Sequence, residues 1–310
     1  MSLTRVRVAA RHWNRIAASL LAFAAALSAG PVAAEPLAVI GILQGSAVLV
    51  RQTTRYTLVE GAALAEGDIV ETPAGAFAQI EFEDGVTVGL GEGSRILIRP
   101  KLQGMKALAV PRLYLLEGWV KATPAPKGEL ALLSPRFELG IDGGSAVIKL
   151  DAKSYATFAE RGAVRLVQRD GARSTVTLRP GEFASLAAGA DKVTIVPRMN
   201  AEFLQALPKM FRDALPPRAA LYAKRNPAPK PLAPIEYGDV AVWLHSESGI
   251  RLPLSRQWIS RASDKAFRAE LVANLNAHKE WERILFPERF LPKKPPPPRP
   301  IEPASAASSP

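Results

Sequence analysis

Beyond the first 34 residues the chain has two histidines, His245 and His278, and there is no cysteine anywhere. Neither histidine has another three or four positions away, so no helix face carries a paired metal-ligand site. Without cysteine there is no disulfide framework, thiol nucleophile or thiolate metal site. A nucleophile–base–acid triad needs a base close to its nucleophile, and residues 37–197 contain no histidine to supply one. The G-x-S-x-G elbow and the S-x-x-K signature are both missing. These residues imply a non-enzymatic protein with no catalytic, cofactor or metal residues to assign.

One stretch still invites a binding role. FEDGVTVGLGEGSRILI, residues 82–98, combines Gly89, Gly91 and Gly93 with Glu83 and Asp84. A dinucleotide loop requires G-x-G-x-x-G running from a strand into a helix. Here the spacing is G-x-G-x-G and a β-branched run follows, so the glycines punctuate strands. Glu81, Glu83, Asp84 and Glu92 lie on the polar alternation or in turns, without the regular oxygen ladder of a calcium loop. They read as solvated acids.

The elements around that stretch are strands. From Leu37 to Val196, short apolar alternations recur between glycines: SAVLV, AFAQIEF, VTVGL, RILI, RLYLL, SAVIKL, GAVRLV and STVTL. Runs of this length and spacing predict an all-β architecture. Ala78, Ile80 and Phe82 share one face, Val86, Val88 and Leu90 continue it, and Asp84-Gly85 between them suits a tight hairpin turn. A faint repeat is also present. GSAVLV (45–50) precedes LAEGDI (64–69), and GAVRLV (162–167) precedes LRPGEF (178–183), with Gly118-Trp119-Val120 as a truncated third copy. Duplicated β units that cover one another predict a β-sandwich or a short β-solenoid.

The run VEGAALAEGDIVETPAGAFAQIEFEDGVTVGLGEGSRILI resembles the FecR domain of bacterial envelope proteins. The residues in matching places include Gly61, Gly67, Asp68, Thr72, Asp84, Gly85, Leu90 and Ser94. LEGWVKA, LLSPRFELGIDGG and RGAVRLVQRDGARSTVTLRPGEF resemble the second half of that domain. Known members include regulators that pass a surface signal across the inner membrane to a cytoplasmic sigma factor. Those regulators have a cytoplasmic N-terminal domain and a transmembrane helix, where this chain has a different leader. The resemblance therefore implies an exported, non-catalytic β module used for protein contacts, with an envelope protein as partner.

That leader is residues 1–34. Arg5, Arg7, Arg11 and Arg15 precede an apolar stretch, IAASLLAFAAALSAG, and small residues lead to Ala34. This is the pattern of a cleavable secretory signal, with cleavage between Ala34 and Glu35. Its apolar core is shorter than the roughly 20 residues of a membrane-spanning helix, so the expectation is a periplasmic protein without an anchor after cleavage. Residues 35–198 hold 19 Lys and Arg against 18 Asp and Glu, while residues 199–310 hold 17 against 11. The basic excess lies in the C-terminal third, and in an exported chain it suits an anionic cell-wall polymer, not nucleic acid.

Past Pro197 the pattern turns helical. NAEFLQALPKMFRDAL has Asn200 as an N-cap and Pro208 as a divider. The domain map is a FecR-like β domain at 37–197, short helices and a proline-rich linker at 198–235, a small all-α module at 236–291, and a disordered proline-rich tail at 292–310.

Overall fold

A computed structural model of the chain describes residues 36–107, 109–225 and 227–291; Ala34, Glu35 and the tail 292–310 lie outside the described residues. The first strands are β1 (Ala38–Gln44), β2 (Val48–Arg51), β3 (Thr54–Thr57), β4 (Ala63–Leu64), β5 (Ile69–Thr72), β6 (Phe77–Phe82), β7 (Thr87–Leu90) and β8 (Ser94–Ile98). There follow β9 (Leu113–Thr123), β10 (Glu129–Leu133), β11 (Phe137–Leu150), β12 (Tyr155–Gln168), β13 (Thr175–Leu178), β14 (Phe183–Leu186), β15 (Thr194–Val196) and β16 (Lys230–Pro234). Pairing is antiparallel except between β9 and β10.

Three long strands change partners halfway along. β9 pairs with β8 over Leu113–Glu117 and with β7 over Val120–Thr123. β11 pairs with β10 as far as Asp142 and with β9 from Ala146. β12 pairs with β14 over Tyr155–Phe158 and with β13 over Val164–Val167. Each switch falls at glycine, and Gly118 shows why. It sits at φ +100°, and a Cβ there would lie 2.3 Å from the Ser94 Cα. Only glycine combines that backbone angle with so close a neighbour.

These corners divide the strands into two layers. One runs β4-β1-β6-β7 into the far halves of β9 and β11 and on through the first half of β12 to β14 and β15; the other runs from β13 through the second half of β12 to β11, β10, β9, β8, β5 and β2 and on to β3 and β16. Ile40, Ile80 and Val88 from the first layer share one buried cluster with Leu49, Ile96 and Leu139 from the second. The fold is a β-sandwich, and the solenoid alternative falls away.

Parts of both outer faces are covered by the chain itself. In β6 every residue is buried, those on the outer side of the sheet included. On the first layer Ile42, Phe77, Trp119 and Phe183 pack against Phe203, Leu207 and Phe211. Those three come from α1 (Ala201–Ala206) and the 3₁₀ turn after it. Asn200 caps α1 by accepting the Phe203 N–H at 2.8 Å, and the helix stops ahead of Pro208, as the sequence predicts. On the second layer Val50, Ile69, Leu97 and Tyr114 pack under Trp243, Trp258, Phe267 and Trp281. The proline-rich segment is not a free linker. Its residues Ala219–Tyr222 form a short helix, α2, and Lys230–Pro234 pair with β3 as the edge strand β16. Prolines fit an edge because its outward positions have no ladder bond to donate. The C-terminal helices are α3 (Tyr237–Leu244), α4 (Ser248–Gln257), α5 (Lys265–Ala273) and α6 (Glu282–Leu285). Asp264 caps α5 by accepting the Phe267 N–H at 2.9 Å.

Candidate functional site

The residues singled out by the sequence pattern build the sandwich from inside. Asp68 is buried; it accepts Arg51 Nε–H at 2.9 Å, Arg51 Nη2–H at 2.6 Å and the Ala65 N–H at 2.7 Å. Gly67 precedes it at φ +82°. The Thr72 hydroxyl donates to the Gly91 carbonyl at 2.5 Å. Ser94, fully buried, accepts the Trp119 N–H at 2.9 Å and reaches the Trp119 and Gly91 carbonyls at 2.8 Å. It thereby pins the corner at Gly118. Leu90 is in the core. Asp84 and Gly85 form the expected hairpin turn, with Gly85 at φ +84° and Asp84 paired to Arg112. The glycines 89, 91 and 93 are followed by the strand β8, not a helix.

Among the acids, Glu92 accepts the Gly75 N–H in a turn. Glu81 corrects the reading of a solvated face, since it is only 4% exposed. Its carboxylate takes the backbone N–H groups of Arg218 and Ala219 at 2.7–2.8 Å and the Gln79 side-chain amide at 2.9 Å. The alternation is right, but the segment after Pro216 covers that face and supplies donors.

The two histidines, distant in sequence, meet in space. The Tyr237 hydroxyl lies 3.1 Å from His245 Nε2 and 3.2 Å from His278 Nε2. His278 is buried, and its burial lowers its pKa below the ordinary 6.5. Burial likewise raises the Tyr237 hydroxyl. Both effects favour the neutral forms of His278 and Tyr237. No serine hydroxyl hydrogen-bonds either ring among the described residues, and no group of three or more His, Asp or Glu there forms a metal-ligand set. The arrangement is a hydrogen-bonded tie between α3 and the 278–281 turn.

A second set of polar residues, silent in the sequence, joins the helices to the sandwich. Glu247 accepts Tyr114 Oη–H at 2.9 Å and both Arg169 nitrogens at 2.7 Å. Trp243 Nε1–H donates to Glu71 at 3.2 Å, and Trp258 Nε1–H to the Gln52 carbonyl at 2.9 Å. Burial raises the Glu71 carboxyl above its ordinary value despite that donor. Pro253, inside α4, has no N–H for the Gly249 carbonyl four residues earlier. The Gln103 N–H fills that vacancy at 3.1 Å. Gly249 also leaves room for Met105, whose sulfur lies 1.9 Å from where a Cβ would sit. The loop 102–105 is thus seated on α4. Beside it an open groove of about 730 Å³ runs between the sandwich and α4. Pro253 within a helical pattern is the local signal that could have marked this place.

Residues 68–165 match the family described as FecR protein. The FecR match begins at the buried Asp68 and ends in β12, so β1 to β4, β13 to β16 and all helices lie outside it. Yet β1 pairs with β6 and β2 with β5, so strands beyond the FecR match complete the same sandwich. Among solved structures, two crystal structures of a "putative anti-sigma factor from Parabacteroides distasonis ATCC 8503" are similar at 15% and 16% identity. Each covers 44% of this chain and 63% or 62% of the other, with a TM-score of 0.36. The chain thus spans less than two thirds of those proteins. No curated protein matches. Among the described residues no helix is long and apolar enough to cross a membrane.

Proposed function

We propose that the chain is an exported, non-enzymatic binding protein, a signalling accessory of the periplasm that works through protein contacts of its FecR domain. The observation that supports this reading most is where the polar residues of the FecR pattern go. Asp68, Thr72 and Ser94 are consumed in holding the sandwich together, with 2% or less of each exposed. A pattern whose buried polar residues build a scaffold, and whose exposed Asp84 is tied to Arg112 in a turn, fits contact better than catalysis. Because other segments of the chain cover part of each outer face, a partner meets the strand edges, the turns, the helical surface and the open face of β12 and β13, where Ala163, Arg165, Thr175 and Thr177 are exposed. Cross-linking the mature chain in envelope extract, followed by mass spectrometry, tests this. Cross-links to one discrete protein, at edges and turns, are expected; turnover of an envelope substrate by the purified chain would contradict it.

A second reading, binding of an anionic cell-wall polymer, is favoured by one observation. Of the Lys and Arg in residues 199–291, only Arg251, Arg261 and Arg289 have a carboxylate within salt-bridge distance among the described residues. Export itself is checked by intact mass, with the mature protein expected to begin at Glu35.

A further inference from the structure

The groove beside α4 has a volume typical of sites for small ligands. Leu102, Ile250 and Leu254 give it an apolar lining. Three observations define what would complement the rest. The Gln103 side-chain carbonyl is buried and has no hydrogen-bond partner, an unfavourable state for a polar atom. Arg256 lines the groove, is exposed, and has no carboxylate partner among the described residues. Lys101 is 71% exposed and holds only a 3.4 Å contact to Glu66, a surface pair that a better anion displaces at little cost.

The missing partners are an N–H donor, a carboxylate and an apolar group, all within one groove. We propose that this groove binds the free carboxylate end of a short peptide. The terminal carboxylate faces Arg256 with Lys101 beside it, the last peptide N–H donates to Gln103 Oε1, and the terminal side chain lies on Leu102, Ile250 and Leu254. A fatty acid offers the carboxylate and apolar group without the N–H. An anionic polysaccharide lacks the apolar group. The guanidinium suits a carboxylate because its paired donors match two oxygens. The assignment does not depend on the protein-contact reading above.

Isothermal titration calorimetry on the mature chain tests it, with N-acetyl-Ala-Ala-Leu as free acid, the same peptide as C-terminal amide, and N-acetyl-D-Ala-D-Ala. The acid is expected to bind, and the amide at least tenfold more weakly. Arg256→Gln should weaken the acid about tenfold with an unchanged melting temperature, since the side chain is exposed and unpartnered. Gln103→Leu should weaken it too. Preference for the L-peptide would indicate a protein C-terminus, and preference for the D-peptide a cell-wall peptide. Equal binding of acid and amide, no heat at millimolar peptide with folded protein, or indifference to Arg256→Gln would each overturn the assignment.

Discussion

Two titratable groups where the sheet meets the helices, the half-buried Glu71 and the buried His278, give opposite responses to acid. Glu71 is held above its ordinary value, so the folded state favours its protonated form. Its contribution is full below the unfolded value and is lost as pH rises through the folded one. Glu71→Gln should therefore be neutral or stabilising at pH 7 and lose that advantage by pH 4. Chemical denaturation of both proteins at the two pH values checks this. His278 is held below 6.5, so the unfolded chain takes up the proton first. Stability should fall as pH drops through 6.5 and level off below the folded value. His278→Gln should flatten that part of the Tm–pH curve, whatever it does to the plateau. At the corner of β9, Gly118→Ala must move the Ser94 backbone and disturb the hydroxyl that holds Trp119. Strain of this kind costs about 1–3 kcal/mol, measurable as a shift in urea midpoint.

At the scale of elements, what the sequence reveals is what is local. The hairpin over residues 78–90 follows from alternation and Asp84-Gly85, and α1 from Asn200 and Pro208. The repeat is real as a turn. In the first copy Ala65 N–H donates to Asp68 and Asp68 N–H returns to the Ala65 carbonyl. In the second Arg179 N–H donates to Glu182 and Glu182 N–H to the Arg179 carbonyl. Gly118-Trp119-Val120 instead marks the corner of a long strand. What stayed hidden depends on distant partners. Glu81 is buried only because residues 137 positions away fold over it. The strand character of Lys230–Pro234 exists only beside Thr54–Thr57, and the groove only where α4 meets the 102–105 loop. Because Gly249 must admit Met105, Gly249→Ala should loosen that loop. Faster amide exchange at Gln103, whose N–H bonds the Gly249 carbonyl, is the expected sign.

At the scale of the molecule, the sandwich and the helices share a buried cluster and several side-chain ties, so they should unfold together. Glu247→Ala leaves Arg169 and Tyr114 without their acceptor and should cost about 1–3 kcal/mol. It should lower a single calorimetric transition; two resolved transitions would mean independent units. Function is a question at this scale too, because helices and extended segments cover much of the sheet and the surface a partner meets is that of the assembled body. Charged attraction to a polymer is screened to about 3 Å at 1 M salt, whereas a packed protein interface persists. The most direct measurement is therefore capture from envelope extract by the mature chain at 0.05 M and 1 M salt, with protein and polymer quantified separately. The account predicts a discrete protein retained at both concentrations. Retention of polymer alone, lost at 1 M, would contradict it.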